Sequence, residues 1–396
     1  MNSIKNVNLK IATFLMICGL INLTFLLGMP AISNIINIGL FFFSCAIITL
    51  STGKIRGNIA FATIIPIAYY LYNITLEATS FLFFIFYMWL GFYLGANTKT
   101  KDIETLGKKL FFAFILLEIT LLATQGSIFN IEGNGSLRLI STAGGAPSTS
   151  FILLILSIIF LSFNNWKFYI PTIFLLFLTG NRISILALIV CILYFTIINK
   201  KNRRQLVLLG IIALPFAMHY FQKIMLLLRF TDKYGDLNTG TFDGRLVHWN
   251  WALHKFENAP LLTKLFGHGI NSTKEMFFSL NYYLGEKTGS GAMHNEYIRL
   301  LIEMGISIFP ILIIAITITI KRSLKLPQSQ SKLVIGTLLS ILICAITDNI
   351  LYSYSSFMFI SLFLIGNLAF NIKTKTASFP PPIPRKQTHL IDSAQP

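Results

Sequence analysis

Residues 147–163, Pro147-Ser-Thr-Ser-Phe-Ile-Leu-Leu-Ile-Leu-Ser-Ile-Ile-Phe-Leu-Ser-Phe163, contain no charged side chain. As a helix they would rise about 25 Å, close to the ~30 Å hydrocarbon core of a bilayer. Comparable runs lie on both sides, near 9–28, 31–51, 59–75, 79–96, 110–123, 168–180, 183–198, 205–222, 297–320, 333–349 and 355–372. Composition agrees: of 396 residues, 54 % are hydrophobic and only 12 % charged, with a mean hydropathy of +0.70. A soluble chain carries about 25 % charged residues, enough to cover its surface. The pattern predicts an all-α integral membrane protein of about twelve transmembrane helices with one long outer segment.

A net charge of +17 could suggest a nucleic-acid partner, so its distribution decides the matter. With the N-terminus in the cytoplasm, the breaks between spans alternate inside and outside. The inner segments then hold 21 basic residues, including Lys54, Arg56, Lys200, Lys201, Arg203, Arg204, Lys321 and Arg322, against Asp102, Glu104 and Asp392. Outer segments and outer helix ends hold the other 11 basic and 12 acidic residues. The positive-inside rule accounts for the whole excess, and no nucleic acid is implied. The expected division is transmembrane helices one to nine over 1–222, a helical outer loop over 223–296 and helices ten to twelve over 297–372. A disordered cytoplasmic tail follows over 373–396, with Pro380, Pro381, Pro382 and Pro384. Cys18, Cys45, Cys191 and Cys344 all fall inside spans, without metal-ligand spacing, and read as packing residues. Leu9–Gly28 reads as an uncleaved first helix, because a second span follows almost at once.

Chemistry concentrates at the outer face. Five of the six histidines, His219, His248, His254, His268 and His294, lie there. Arg182 sits in Leu178-Thr-Gly-Asn-Arg-Ile-Ser-Ile-Leu-Ala-Leu188, flanked by apolar sequence. An arginine beside the bilayer either snorkels or finds an anion, and Gly180 permits a turn that aims the next helix's N-terminus at an outer ligand. In the long segment, Arg245, Trp249, Ala252 and Phe256 form one stripe of a helix that stops at Asn258-Ala-Pro260. The aromatic part suits an interfacial anchor or a core contact. Leu265-Phe-Gly-His-Gly-Ile270 makes a tight turn, and Gly289-Ser-Gly-Ala-Met-His-Asn-Glu-Tyr-Ile-Arg-Leu-Leu-Ile-Glu-Met-Gly305 leads into the tenth span. His294 and Asn295 stand where glycine-rich chain becomes helix. A neutral imidazole there can take a proton near neutral pH, and a protonated one can stabilise a phosphate.

The set Thr-Gly-Asn-Arg182, Asp-Gly-Arg245 with Trp249, Gly267-His-Gly269 and His294-Asn-Glu-Tyr with Glu303-Met-Gly305 resembles the O-antigen ligase and polymerase family. The likeness covers roughly Arg138 to Gly305. It implies a bacterial inner-membrane glycosyltransferase of GT-C-like architecture, with 223–296 periplasmic and both termini cytoplasmic. Its members take a glycan from undecaprenyl diphosphate; ligases pass it to lipid A–core and polymerases to another repeat unit. By that resemblance Arg182 and Arg245 bind the diphosphate and His294 assists acceptor attack. Asn295, His268, Trp249, Arg138 and Asp348 are the expected substrate-binding neighbours. The pattern departs at Asn181 and Ile183, where Ser or Thr and a small residue are expected.

The residues suit this chemistry. A diphosphate leaving group gathers negative charge in the transition state, which two convergent guanidiniums can meet with bidentate donors. The acceptor hydroxyl needs a base, and His294 serves better near neutral pH than the outer carboxylates. Neither metal nor cofactor is expected: Leu27-Gly-Met-Pro-Ala-Ile-Ser33, the first outer loop, has no paired acids. Asp348, in Thr347-Asp-Asn349, either orients an Arg or His or caps a helix. Ligase is the first expectation and repeat-unit polymerase the second. A lipid-linked sugar transporter or flippase is the competing class; it would need pseudo-repeats and charges near span midpoints. Glu118 lies within a span interior, toward its outer end.

Overall fold

The computed structural model describes residues 2–20, 88–96, 103–131, 137–142, 145–198, 240–269, 272–273, 276, 294–347, 350 and 355–370. The expected spans at 31–51, 59–75 and 205–222, the first half of 79–96, and the tail lie outside these residues, as do Asp348 and the side chain of Arg245.

The chain is mostly helical. Helices α1 (Asn2–Gly19) and α2 (Ile103–Gln125) precede a two-stranded antiparallel hairpin, β1 (Phe129–Ile131) and β2 (Leu137–Leu139). Then come α3 (Ala146–Ser162), α4 (Trp166–Leu178) and α5 (Arg182–Ile198). The long segment contributes α6 (Gly240–Glu257) and the short α7 (Leu261–Phe266), and α8 (Glu296–Met304), α9 (Ile308–Ser323), α10 (Gln328–Cys344) and α11 (Ser355–Ala369) complete the order.

α3 is apolar around its whole circumference, and a helix of that kind belongs in an interior. Phe151, Leu153, Leu154, Ile155, Ile158, Ile159 and Phe160 are fully buried, and α2, α4, α5, α10 and α11 pack around them. The stretch 88–96 lies so close to α11 that a Cβ on Gly91 or Gly95 would meet the carbonyl oxygens of Phe359 and Phe363. Small residues allow such backbone approach between apolar helices.

The outer faces are apolar as well. Phe112, Leu116, Ile119 and Leu122 on α2, Trp166, Ile170, Phe174 and Phe177 on α4, and Leu186, Ile189, Leu193 and Ile197 on α5 are all exposed. Each set follows helical spacing and forms a stripe. Burying one such side chain is worth about 1.5–3 kcal/mol, so water-facing stripes of this size would forgo more than a domain's whole stability of ~5–15 kcal/mol.

Among the described residues no helix is long and apolar enough to cross a membrane. The apolar ones run from 13 residues in α4 to 17 in α3, α5 and α10, while the longer α1 and α2 carry lysines and α2 two glutamates. The run 297–320, expected as one helix, is two. Gly305 at φ +71° ends α8, and α9 starts at Ile308. The apolar pattern read straight through this break because the chain on both sides of it is helical.

Candidate functional site

Two polar assemblies stand at one end of the bundle. The first surrounds the α4–α5 turn. Thr179 Oγ1 donates to the Leu176 carbonyl (2.7 Å) and accepts from the Asn181 N–H (3.3 Å). Gly180, at φ +61°, turns the chain in the left-handed region that glycine occupies without strain. Asn181 Nδ2 donates to Ser150 Oγ (2.7 Å), which also pairs with Ser184 Oγ (2.9 Å). These bonds lock the turn to α3 and fix Arg182 as the first residue of α5, where helix amides and the dipole favour an anion. Asn181, the departure from the family pattern, is therefore a tie between helices.

Arg138 joins this group. It sits in β2 opposite Asn130, and its Nε lies 3.6 Å from where a Cβ on Gly180 would stand. The hairpin is anchored just beyond by Thr142, whose N–H donates to Glu118 Oε1 (3.3 Å) and whose hydroxyl donates to the Leu20 carbonyl (2.9 Å). Arg138 thus lies against the turn that leads into Arg182.

The second assembly is α8. Asn295 caps it, its Oδ1 accepting from the Ile298 N–H at 3.1 Å. His294, one residue earlier, takes φ +51°, unusual for a side-chain-bearing residue. Glu296 N–H donates to the Ala345 carbonyl (2.8 Å) and Tyr297 hydroxyl to the Leu342 carbonyl (2.7 Å), binding the start of α8 to the end of α10. Buried Arg299 lies between Glu296 (3.3 Å) and Glu303 (3.2 Å), and Thr273 donates its hydroxyl to the other Glu303 oxygen. Buried ions need such partners, because desolvation costs several kcal/mol per ion, roughly offset only by good geometry.

The heights of the two assemblies follow from packing. Cys191 Sγ on α5 meets the Gly336 carbonyl (3.4 Å) and the Ser340 hydroxyl (3.7 Å) on α10, while Phe195, further along α5, lies under Lys332, earlier on α10, so the helices run antiparallel. From that contact Arg182 lies about 14 Å along α5 and Ala345 about 14 Å along α10, toward the same end, at 1.5 Å per residue. Arg182, Arg138, His294 and Asn295 therefore share one end of the molecule.

His268 does not share this position. Its backbone N–H donates to the Ile302 carbonyl (2.8 Å) and that of Gly269 to Glu303 (3.1 Å), at the far end of α8. Ile302 is six residues along α8 from its start at Glu296, about 9 Å, and His294 lies two residues before that start. Desolvation, with a lesser contribution from the Lys255 ammonium, holds the His268 imidazole below its ordinary value. Trp249 packs with Trp251, Phe256, Met276 and Ile298 around Ala252 and Ile302, as a contact between α6 and α8. Arg245 stands in the first turns of α6.

Sequence reading missed the Glu296–Arg299–Glu303 cluster; its signal was the spacing of three and four residues, which puts all three on one helix face. Thr273, thirty residues from Glu303, left no such signal. Among the described residues no group of three or more His, Cys, Asp or Glu is placed to hold a metal ion.

Residues 167–313, somewhat over a third of the chain, match the O-antigen ligase family, which bears out the resemblance carried by the Arg182 and His294 motifs. No curated protein matches the chain.

Proposed function

We propose that the O-antigen ligase region of this chain is the catalytic part of an inner-membrane glycosyltransferase that moves a glycan from undecaprenyl diphosphate to lipid A–core at the periplasmic face. Activity of the ligase and polymerase type follows from the family; the ligase assignment is the finer step. The observation that carries the reading is the matched region bringing Arg182 and His294 to one end of a bundle with exposed apolar stripes. Lipid tails are the solvent that suits such stripes, and the ends of the bundle would then meet the headgroups.

In the proposed reaction an acceptor hydroxyl attacks the anomeric carbon of the donor sugar. The bond from that carbon to the diphosphate oxygen breaks, undecaprenyl diphosphate leaves with the electron pair, and His294 takes the hydroxyl proton. Arg182 and Arg245 hold the diphosphate and meet the charge that grows on it; Arg138, beside Gly180, adds a third guanidinium. Asp348 completes the acceptor side, and Asn295, as the cap of α8, holds the backbone on which His294 stands. His268 then acts away from the reacting centre, through the α7–α8 junction.

Transfer from an undecaprenyl-diphosphate glycan by purified protein tests this. Arg182→Ala and Arg245→Ala should each lower transfer by about 10²–10³-fold, the usual loss when a transition-state donor is removed. Lys at either position should restore only part, since it offers a point charge and not a planar fork. Wild-type rates in both Lys variants would sink bidentate diphosphate recognition. Lipid A–core should accept the glycan; transfer only to another repeat unit would replace ligase by polymerase.

A further inference from the structure

We propose that α7, Leu261–Phe266, is a foot seated in the outer leaflet of the membrane, setting the height of α8 and His294. The inference rests on the proposed reading that the bundle, α9 included, turns its apolar faces to the lipid of the inner membrane, and goes beyond it by assigning a lipid contact to the long outer segment.

The six residues Leu-Leu-Thr-Lys-Leu-Phe have little to pack against. Leu261 is 72 % exposed, Leu262 71 % and Phe266 57 %, and none of the six is buried. An isolated exposed leucine needs no explanation, but a cluster does. This cluster is joined to an apolar surface already described. The Ile306 N–H donates to the Lys264 carbonyl (2.9 Å) and the Ser307 N–H to the Leu265 carbonyl (3.2 Å), splicing α7 onto the chain that starts α9. Ile306 is itself exposed, and Ile311, Ile313 and Ile314 on α9 continue the surface.

Length points the same way. The 16 residues of α9 rise about 24 Å, some 6 Å short of a ~30 Å hydrocarbon core. A short helix hydrogen-bonded at its outer end supplies apolar surface where the span runs out. Lys264 lies on α7, and exposed Lys255 lies over the Trp251 ring at 5.6 Å. Lysine and tryptophan are the residues that favour the headgroup layer. From the foot, Gly267–Gly269 runs onto the Ile302 and Glu303 carbonyls of α8, the helix that begins beside His294.

The unmodified protein, in vesicles of phosphatidylethanolamine and phosphatidylglycerol containing a lipid with a diazirine at the top of its acyl chain, is irradiated and digested with trypsin. Cleavage after Lys255 and Lys264 releases 256–264, and adducts on Leu261 and Leu262 are expected beside adducts on α9. Spin labels on Leu262→Cys, Ile313→Cys and Glu257→Cys, with the native cysteines changed to alanine, read the same arrangement. Ile313 and Leu262 should collide with oxygen and Glu257 with an aqueous nickel chelate. Ile313 in lipid with Leu262 open to nickel would overturn the foot and leave the membrane reading standing. Leu262 shielded from both would assign α7 to a protein partner or a second copy and overturn it too. Ile313 open to nickel would remove the membrane reading and the foot with it.

Discussion

His294 and Asn295 are adjacent and do different work. The capping oxygen at the start of α8 belongs to Asn295, so His294 is not needed to close the helix end. His294 instead occupies φ +51°, where a side chain costs roughly 1–2 kcal/mol relative to the right-handed region. Strain at such a position is a feature to be matched with function. Glycine carries no such penalty and asparagine only a small one. His294→Gly and His294→Asn should therefore keep or raise the thermal midpoint of wild type, while transfer falls by about 10²–10⁴-fold, the range typical of general-base loss. Asn295→Ala should do something different, lowering stability by about 1 kcal/mol through the lost cap. Thermal unfolding in detergent and glycan transfer, measured on the same preparations, separate the two. Near-normal transfer by both His294 variants would remove it from the mechanism.

At the far end of α8, two glycines face each other through the backbone. A Cβ on Gly267 (φ +81°) would run into the Glu303 carbonyl, and one on Gly305 (φ +71°) into the carbonyl of Leu265. Gly305→Ala is then expected to lower stability by more than ~1 kcal/mol from the positive φ alone and to loosen the α7–α8 junction. Faster proteolysis at Lys264, with α3 to α5 still protected, is the expected readout; an unchanged cleavage rate would contradict the close backbone packing. This junction also marks how far the sequence could be read. Helices such as α3, α4 and α5 were legible because their residues are apolar over nearly their full length, and the turn before Arg182 was legible from Gly180; α10 was read five residues late, because it opens on Gln328-Ser-Gln-Ser-Lys332. The split of 297–320 was not, since a glycine in an apolar stretch carries no sign of whether it bends the chain. Nor were the Asn181–Ser150–Ser184 tie and the Thr273–Glu303 bond, which join residues 31 and 30 positions apart. Periodicity reports which face is apolar and says nothing about which polar groups meet across faces.

Charge and packing divide the protein into two ends. At one, Asn165 donates to Glu104, which also pairs with Lys108 (2.8 Å), so the α3–α4 turn meets the start of α2. At that end too, Arg322 lies over the Phe370 ring at 4.3 Å, joining the ends of α9 and α11. At the other, Thr142 meets Leu20 and Glu118, and Arg138 meets the Arg182 turn. The contacts group Lys108 and Arg322 with the segments read as inner, and Arg138 and Arg182 with those read as outer. The proposed orientation is the one that puts the basic segments of the first group inside. The protein should therefore lie in the membrane with the Arg182 end outward. Glu257 and Lys325 are exposed and belong to opposite ends. In spheroplasts, a membrane-impermeant maleimide should label Glu257→Cys at once and Lys325→Cys only after the membrane is opened. Labelling of Lys325→Cys in intact cells, with Glu257→Cys protected, would invert the orientation and place the proposed site on the cytoplasmic side, away from any periplasmic acceptor.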